Sequence, residues 1–247
     1  MTEHPPTLPA SALSADEATY RERIAANVRR LRDRIAEVAL TTGRQPTEVA
    51  LMAATKTRTA TEVDAVIAAG VTLIGENRVQ EAAEKKPRVV QAATWHMIGH
   101  LQTNKVNQAL GLFSAIQSVD SYRLAAGISA HAEALGRMVE VLVEVNTSGE
   151  KSKYGVAPEA ALDLIAAVQQ LARLRVLGLM TMGLLLNDER RVRACFAMLR
   201  RLRDEAQAAY GMALPVLSMG MTSDFPWAIA EGSTMVRIGT AMFGARD

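Results

Sequence analysis

Lys56 is the residue whose type and place in this sequence most invite chemistry. It closes an apolar run, Leu51-Met52-Ala53-Ala54-Thr55-Lys56, and so sets an ammonium group at the end of an expected buried strand. A lysine taken out of water lowers its pKa or finds a partner, and a partly neutral amine beside a pocket is what condensation with an aldehyde requires. The structural alternative is a strand-end ion pair with a carboxylate such as Glu76. Two later segments have the makings of an anion cradle. Ser218-Met219-Gly220-Met221-Thr222-Ser223 and Arg237-Ile238-Gly239-Thr240 are small, hydroxyl-bearing and glycine-containing, so their N–H groups can approach an anion closely. Asn77 carries both a donor and acceptors, enough to hold a ligand substituent or to orient Lys56.

The remaining reactive side chains invite structural readings. Cys195 lies between Ala194 and Phe196 with no base near it in sequence, and so is expected to be a buried small hydrophobe. As the single cysteine it excludes an internal disulfide framework and any multi-cysteine metal motif, and it suits a reducing cytoplasm. His96, between Trp95 and Met97, is expected to be a hydrogen-bonded structural histidine, and His100 has no assigned role. In the loop from Ser148 to Lys153, Lys151 and Lys153 either accept an aldehyde transiently or attract a phosphate by charge alone. Six arginines between Arg190 and Arg203 decorate a helix with an apolar stripe opposite, the pattern of a solvated face rather than a nucleic-acid surface.

The elements that must position these residues follow from hydrophobic periodicity. The chain has 247 residues, 49% of them apolar, and a net charge of +2, which describes a globular protein with a large core. Residues 1–13 contain Pro5, Pro6 and Pro9 and neither a basic start nor an apolar run; they read as a disordered tail, not as a signal peptide or a membrane span. Ser14 and Glu17 form a capping box for a helix carrying Ile24, Val28, Leu31, Ile35 and Val38. Eight short apolar runs then alternate with helical stretches. They are Val49 to Lys56, Val71 to Asn77, Thr94 to His100, Phe113 to Val119, Val139 to Asn146, Arg175 to Gly183, Pro215 to Met221, and Met235 to Gly244. Alternating β and α units imply parallel strands, and eight of them match a closed (β/α)8 TIM barrel in a single domain over residues 14–247. An open doubly wound sheet is the other topology, but it usually carries a glycine-rich first turn that is absent here. In a barrel, the ends of the strands gather on one face, with phosphate often held after strands seven and eight. Lys56, Asn77 and both glycine-containing segments fall at such ends.

The segments ATKTR, IGENRVQE, WHMIGHLQTNK, KSKYG, LSMGMTSDF and MVRIGTAMFGARD, in that order, resemble the family of pyridoxal-phosphate homeostasis proteins, whose members share the barrel of alanine racemase but lack its second domain. The resemblance covers about residues 20 to 247. It implies that Lys56 holds pyridoxal 5′-phosphate as a Schiff base, that Ser218, Gly220, Gly239 and Thr240 surround its phosphate, and that Arg237 lies near the pyridine nitrogen. A guanidinium cannot accept a proton, so in that position it would keep the ring nitrogen unprotonated and weaken the ring as an electron sink. Arg78 stands where many relatives have tyrosine and His100 where others have proline, two differences that fall on the rim.

The function expected from this resemblance is cofactor holding and buffering, with apo-enzymes as transient acceptors, no catalytic residue, no metal, and no nucleic-acid or membrane partner. A monomer or weak dimer is expected. Two enzymatic alternatives use the same lysine. A racemase or decarboxylase on this barrel would need acid–base groups from Tyr154, Lys153 or His96. An aldolase would use Lys56 on a sugar phosphate without any cofactor.

Overall fold

The computed structural model describes residues 15–184 and 186–244. Helix α1, Ala15–Thr41, begins directly after the expected cap at Ser14, which lies outside the described residues together with the proline-containing tail. Its stripe of Ile24, Val28, Leu31, Ile35 and Val38 is buried. The helix stops where Gly43 enters the left-handed region at φ +74°. Polar side chains tie α1 to the helices beneath it: Tyr20 donates to Glu62 Oε1 at 2.9 Å, and Asn27 Nδ2 donates to the Met242 carbonyl at 2.8 Å.

Eight parallel strands close into one barrel in sequence order, with β1 pairing β8. They are β1 Ala50–Ala54, β2 Leu73–Glu76, β3 Thr94–Met97, β4 Ala115–Val119, β5 Val139–Glu144, β6 Leu174–Met180, β7 Val216–Ser218 and β8 Met235–Ile238. Leu51 pairs with Val236 and Met52 with Arg237 across the closing seam. The intervening helices are α2 Ala60–Ala68, α3 Val79–Lys85, α4 Val106–Leu112, α5 Tyr122–Ala134, α6 Ala161–Gln169, α7 Glu189–Tyr210, α8 Phe225–Ala230 and α9 Thr240–Phe243. The Thr59/Glu62 capping box opens α2, and Gly211 closes α7 at φ +63°.

Each apolar run contains its strand, except that β6 begins one residue before its run at Leu174, and most runs continue past the strand. The Met235 to Gly244 run departs furthest from expectation. It splits at Gly239 into β8 and the single-turn helix α9, because hydrophobicity marks burial and does not by itself distinguish the two conformations. Pro215 to Met221 yields only three strand residues before the chain turns at Gly220. These overhangs form the loops of the carboxyl face, where Lys56, Asn77, Gly220, Gly239 and Thr240 sit, whereas Ser218 and Arg237 lie within β7 and β8.

Alternation along the strands separates two environments. Ala53, Ile74, Ile116, Val143, Val236 and Ile238 face the helices and belong to the main core. Met52, Ile98 and Met235, with Ala54, Leu73 and Val216 against them, fill the barrel interior. That interior is tight: a Cβ on Gly75 would lie 2.7 Å from Met52 Sδ. Above the methionines the inward positions turn polar, with His96, Gln117, Ser218 and Arg237 joined by hydrogen bonds.

Candidate functional site

Lys56 lies two residues past the end of β1 and is exposed, which corrects the expectation of a buried charge. The apolar run suggested burial, but β1 stops at Ala54. Thr55 is held by its N–H on the Gly75 carbonyl at 3.0 Å and by its hydroxyl on Glu76 Oε1 at 2.6 Å. Beyond Lys56, Thr57 adopts φ +63° and donates its N–H to Glu81 Oε2 at 2.9 Å. A left-handed threonine costs on the order of 1–2 kcal/mol. The bond to Glu81 offsets part of that cost and fixes the turn immediately after the lysine.

The lysine that is buried is Lys85 of α3. Its ammonium pairs with Glu76 Oε1 and donates to the Thr55 carbonyl at 2.7 Å. Glu76 is fully buried, and burial raises its pKa even though Lys85 and Thr55 pull it back. The alternative partner considered for Lys56 is therefore occupied. Among the described residues no ion pair or hydrogen bond engages the Lys56 ammonium.

Arg237 sits inside the barrel, 3% exposed. Its guanidinium donates to Ser218 Oγ at 2.6 Å, to the Thr181 carbonyl at 2.8 Å and weakly to Met182 Sδ at 3.5 Å. Burial lowers its pKa to about 10, with Glu144 and Asp224 opposing the shift, so the group stays charged at neutral pH. Ser218 in turn donates to Gln117 Oε1 at 2.6 Å, and Gln117 Nε2 donates to His96 Nδ1 at 2.9 Å. His96 must therefore carry its proton on Nε2. Burial lowers its pKa to about 4, which keeps the ring neutral. The expectation of a structural, hydrogen-bonded His96 agrees with this web.

The two glycine-containing turns lie side by side, since β7 pairs β8 and β8 pairs β1. Gly220 has φ +98°, and a Cβ there would come within 2.6 Å of Ala228 Cβ. Only glycine fits that position. Its carbonyl accepts the Arg237 N–H at 2.9 Å, and Thr222 Oγ1 accepts the Ala241 N–H at 3.3 Å, so the turns are stitched to each other. Gly239 passes so close to β1 that a Cβ would lie 3.2 Å from the Ala54 carbonyl oxygen. The Gly239–Thr240 turn thus abuts the strand end that delivers Lys56. Ser218 is the exception in the group: its single O–H is committed to Gln117, and Arg237 occupies its oxygen.

A cleft of about 860 Å³ opens beside this cluster, lined in part by Asn77, Met97, His100, Glu144, Tyr154 and Met182. Of the seven residues expected from the sequence, Asn77 alone lines it. Its backbone abuts Gly99, where a Cβ would stand 2.3 Å from the Asn77 carbonyl oxygen. His100 stacks on Tyr154 with ring centroids 3.9 Å apart and pairs through Nδ1 with Asp120 Oδ2 at 3.3 Å. Lys153 is anchored to Glu150 and to the Gly183 carbonyl, the latter at 2.8 Å, whereas Lys151 is exposed.

Glu144, Gln117 and Thr181 escaped the sequence reading. Glu144 and Gln117 interrupt the apolar runs Val-Glu-Val-Leu-Val-Glu and Ala-Ile-Gln-Ser-Val at positions that alternation turns inward. A polar residue at an inward position of a buried strand was the available signal. Glu144 is 5% exposed, its Oε2 has no hydrogen-bond partner, and burial raises its pKa to about 7. Cys195 is buried on α7 as expected. The arginines of α7 depart from a purely solvated face, because Arg193 and Arg200 both pair with Glu231.

With this geometry in place, comparison with known proteins is specific. The family profile for the alanine racemase N-terminal domain matches residues 21–247. A pyridoxal phosphate homeostasis protein from Aquifex aeolicus is 42% identical over 88% of this chain and 96% of its own length. One from Pseudomonas aeruginosa is 41% identical over 91% of this chain and 96% of its own. Among solved structures, a protein of unknown role from Bifidobacterium adolescentis superposes with a TM-score of 0.88 at 41% identity, over 95% of this chain and 99% of that one. PipY of Synechococcus elongatus, solved with PLP bound, superposes with a TM-score of 0.79 at 34% identity, over 90% of this chain and all of that one. An alanine racemase from Clostridium difficile shares the fold at 14% identity, with this chain covering 57% of its length. The chain belongs to the family of pyridoxal phosphate homeostasis proteins.

Proposed function

We propose that this protein holds pyridoxal 5′-phosphate on Lys56 and serves its homeostasis, shielding the cofactor from stray amines and releasing it to apo-enzymes. The observation that carries this reading is the position of Lys56. Its unengaged amine follows β1, and the Gly239 turn presses against Ala54 two residues earlier. When bound, the cofactor supplies an aldehyde able to condense with a primary amine. The chain's own residues meet its other groups. Gly220, Gly239 and Thr240 would face the phosphate with backbone N–H groups and a hydroxyl. Arg237, charged and fixed by Ser218 and Thr181, would stand against the ring nitrogen and leave it unprotonated. Asn77 would hold a ring substituent. Ser218 acts through Arg237, orienting it.

The family relatives named for this role, and PipY with its bound cofactor, support the reading. Among the described residues no helix is long and apolar enough to cross a membrane, in keeping with a cytoplasmic role. The test is the visible absorption spectrum of the purified, cofactor-loaded protein. We expect a band that Lys56→Ala abolishes and that borohydride converts into a stable adduct on the peptide containing Lys56. A colourless protein with no adduct overturns the reading. Exchange of the α-proton of alanine or serine in D2O at enzymatic rates would instead favour a racemase or another amino-acid enzyme.

A further inference from the structure

Buried polar atoms in native proteins nearly always have a partner, and one that lacks it calls for an explanation. Glu144 closes β5 beneath the cleft, 5% exposed, with Oε2 unpartnered. Arg237 is the opposing charge that acts on it, yet Arg237 directs its hydrogen bonds to Ser218, Thr181 and Met182. Glu76, the other buried carboxylate with an orphan oxygen, is already paired with Lys85 and does not line the cleft. Glu144 is thus a carboxylate held out of water at an open cavity of about 860 Å³ whose lining also includes Met97 and Met182.

We propose that the cleft receives a primary ammonium group, from a lysine side chain or a free amino acid, with Glu144 as its carboxylate partner. An ammonium has three donors and no acceptor, the complement of a carboxylate oxygen with nothing to accept. Methionines are adaptable neighbours for an aliphatic stem. The pair also permits one proton step. An N–H bond of the ammonium breaks as an O–H bond forms on Glu144 Oε2, both charges vanish, and the electrons of the broken bond stay on nitrogen as its lone pair. The amine so produced is the form that attacks an aldehyde carbon.

Arg237 from β8 and Asp120 after β4 act on Glu144 directly, and Arg78, Glu81, Glu84, His100, Lys105, Lys153 and Tyr154 line the cleft with it. Burial favours the acid and Asp120 adds to it, and together they outweigh Arg237, which favours the carboxylate. The carboxyl group therefore titrates near neutrality, where it can act as a proton acceptor for an incoming ammonium. The inference rests on the cofactor-holding reading for its purpose, since the amine would be the acceptor in release. Its test needs no cofactor.

The cofactor-free protein is titrated calorimetrically with Nα-acetyllysine and, separately, with L-alanine, as wild type, as Lys56→Ala and as Glu144→Gln. We expect saturable binding of at least one probe to wild type and to Lys56→Ala, weakened at least tenfold in Glu144→Gln. Preference for Nα-acetyllysine identifies a protein lysine as the source, and preference for alanine a free amino acid. In unaltered protein labelled with 13C at glutamate side chains, the Glu144 carboxyl resonance should move on addition of the bound probe. Absence of saturable binding to wild type, equal binding to Glu144→Gln, or an unmoved resonance overturns the proposal. Failure of the cofactor reading would show instead in the Lys56 absorbance, which Glu144→Gln should retain.

Discussion

Arg237 and Ser218 meet at 2.6 Å inside the barrel, where both side chains are buried. The serine hydroxyl relays the guanidinium to Gln117 and, through it, to His96. Ser218 therefore acts on the site by fixing the orientation of Arg237.

Ser218→Ala leaves Gln117 Oε1 and one Arg237 donor without their partner. Such a loss in a buried network costs about 1–3 kcal/mol. Thermal unfolding should shift down by roughly 2–12 °C in the variant, taking about 2–4 °C per kcal/mol for a chain of this size. An unchanged Tm with sharply reduced cofactor affinity would instead make Ser218 a direct phosphate ligand.

Lys85→Met removes the only ion-pair partner that Glu76 has among the described residues. An uncompensated buried carboxylate costs about 3–5 kcal/mol at neutral pH. Denaturant titration should show that loss, and a second change, Glu76→Gln, should restore part of it. If Lys85→Met is as stable as wild type at pH 7.5, the pair does not secure the strand end before Lys56.

Glu144 gives a pH dependence with a definite sign. Its pKa rises from 4.5 in the unfolded chain to about 7 when folded, so the native state binds the extra proton between those values. Stability then falls as pH rises through that window, by up to about 3 kcal/mol at 1.4 kcal/mol per pH unit. Glu144→Gln should be more stable than wild type at pH 8 and equal to it near pH 4.5. A stability difference independent of pH would contradict the assignment.

Gly220→Ala places a methyl group within 2.6 Å of Ala228 Cβ, at a backbone angle of φ +98° that alanine rarely adopts. Strain of about 1–3 kcal/mol is expected, together with weaker phosphate binding because the turn must shift. Gly211→Ala is the control. Its φ of +63° is also left-handed, but no atom lies within 4 Å of the added methyl. Equilibrium dialysis with the cofactor should show loss of affinity at position 220 only.

Much of the fold was legible because its signals are local. The runs around Ile74, Ile116 and Val143 alternate with capped helices such as α2, and that rhythm alone implies parallel strands in a barrel. Strand ends were less legible. The apolar run into Lys56 predicted a buried amine, yet β1 stops at Ala54 and the chain turns at the left-handed Thr57, leaving Lys56 outside the strand. The strand-like run after Met235 contains α9 for a similar reason, since Gly239 turns where the backbone of β1 lies against it.

By itself the sequence determined the barrel, the place of Lys56 just past the first strand and the two glycine turns, because periodicity, capping and the small size of glycine act over a few neighbouring residues. Tertiary structure alone decided which charges are free. Lys85, Glu76, Arg237, Ser218 and Gln117 lie on five different elements, and each takes its partner from another one. Pairing across elements follows from barrel register. That register left Lys56 without a partner at the mouth and Glu144 with an unanswered oxygen beneath the cleft.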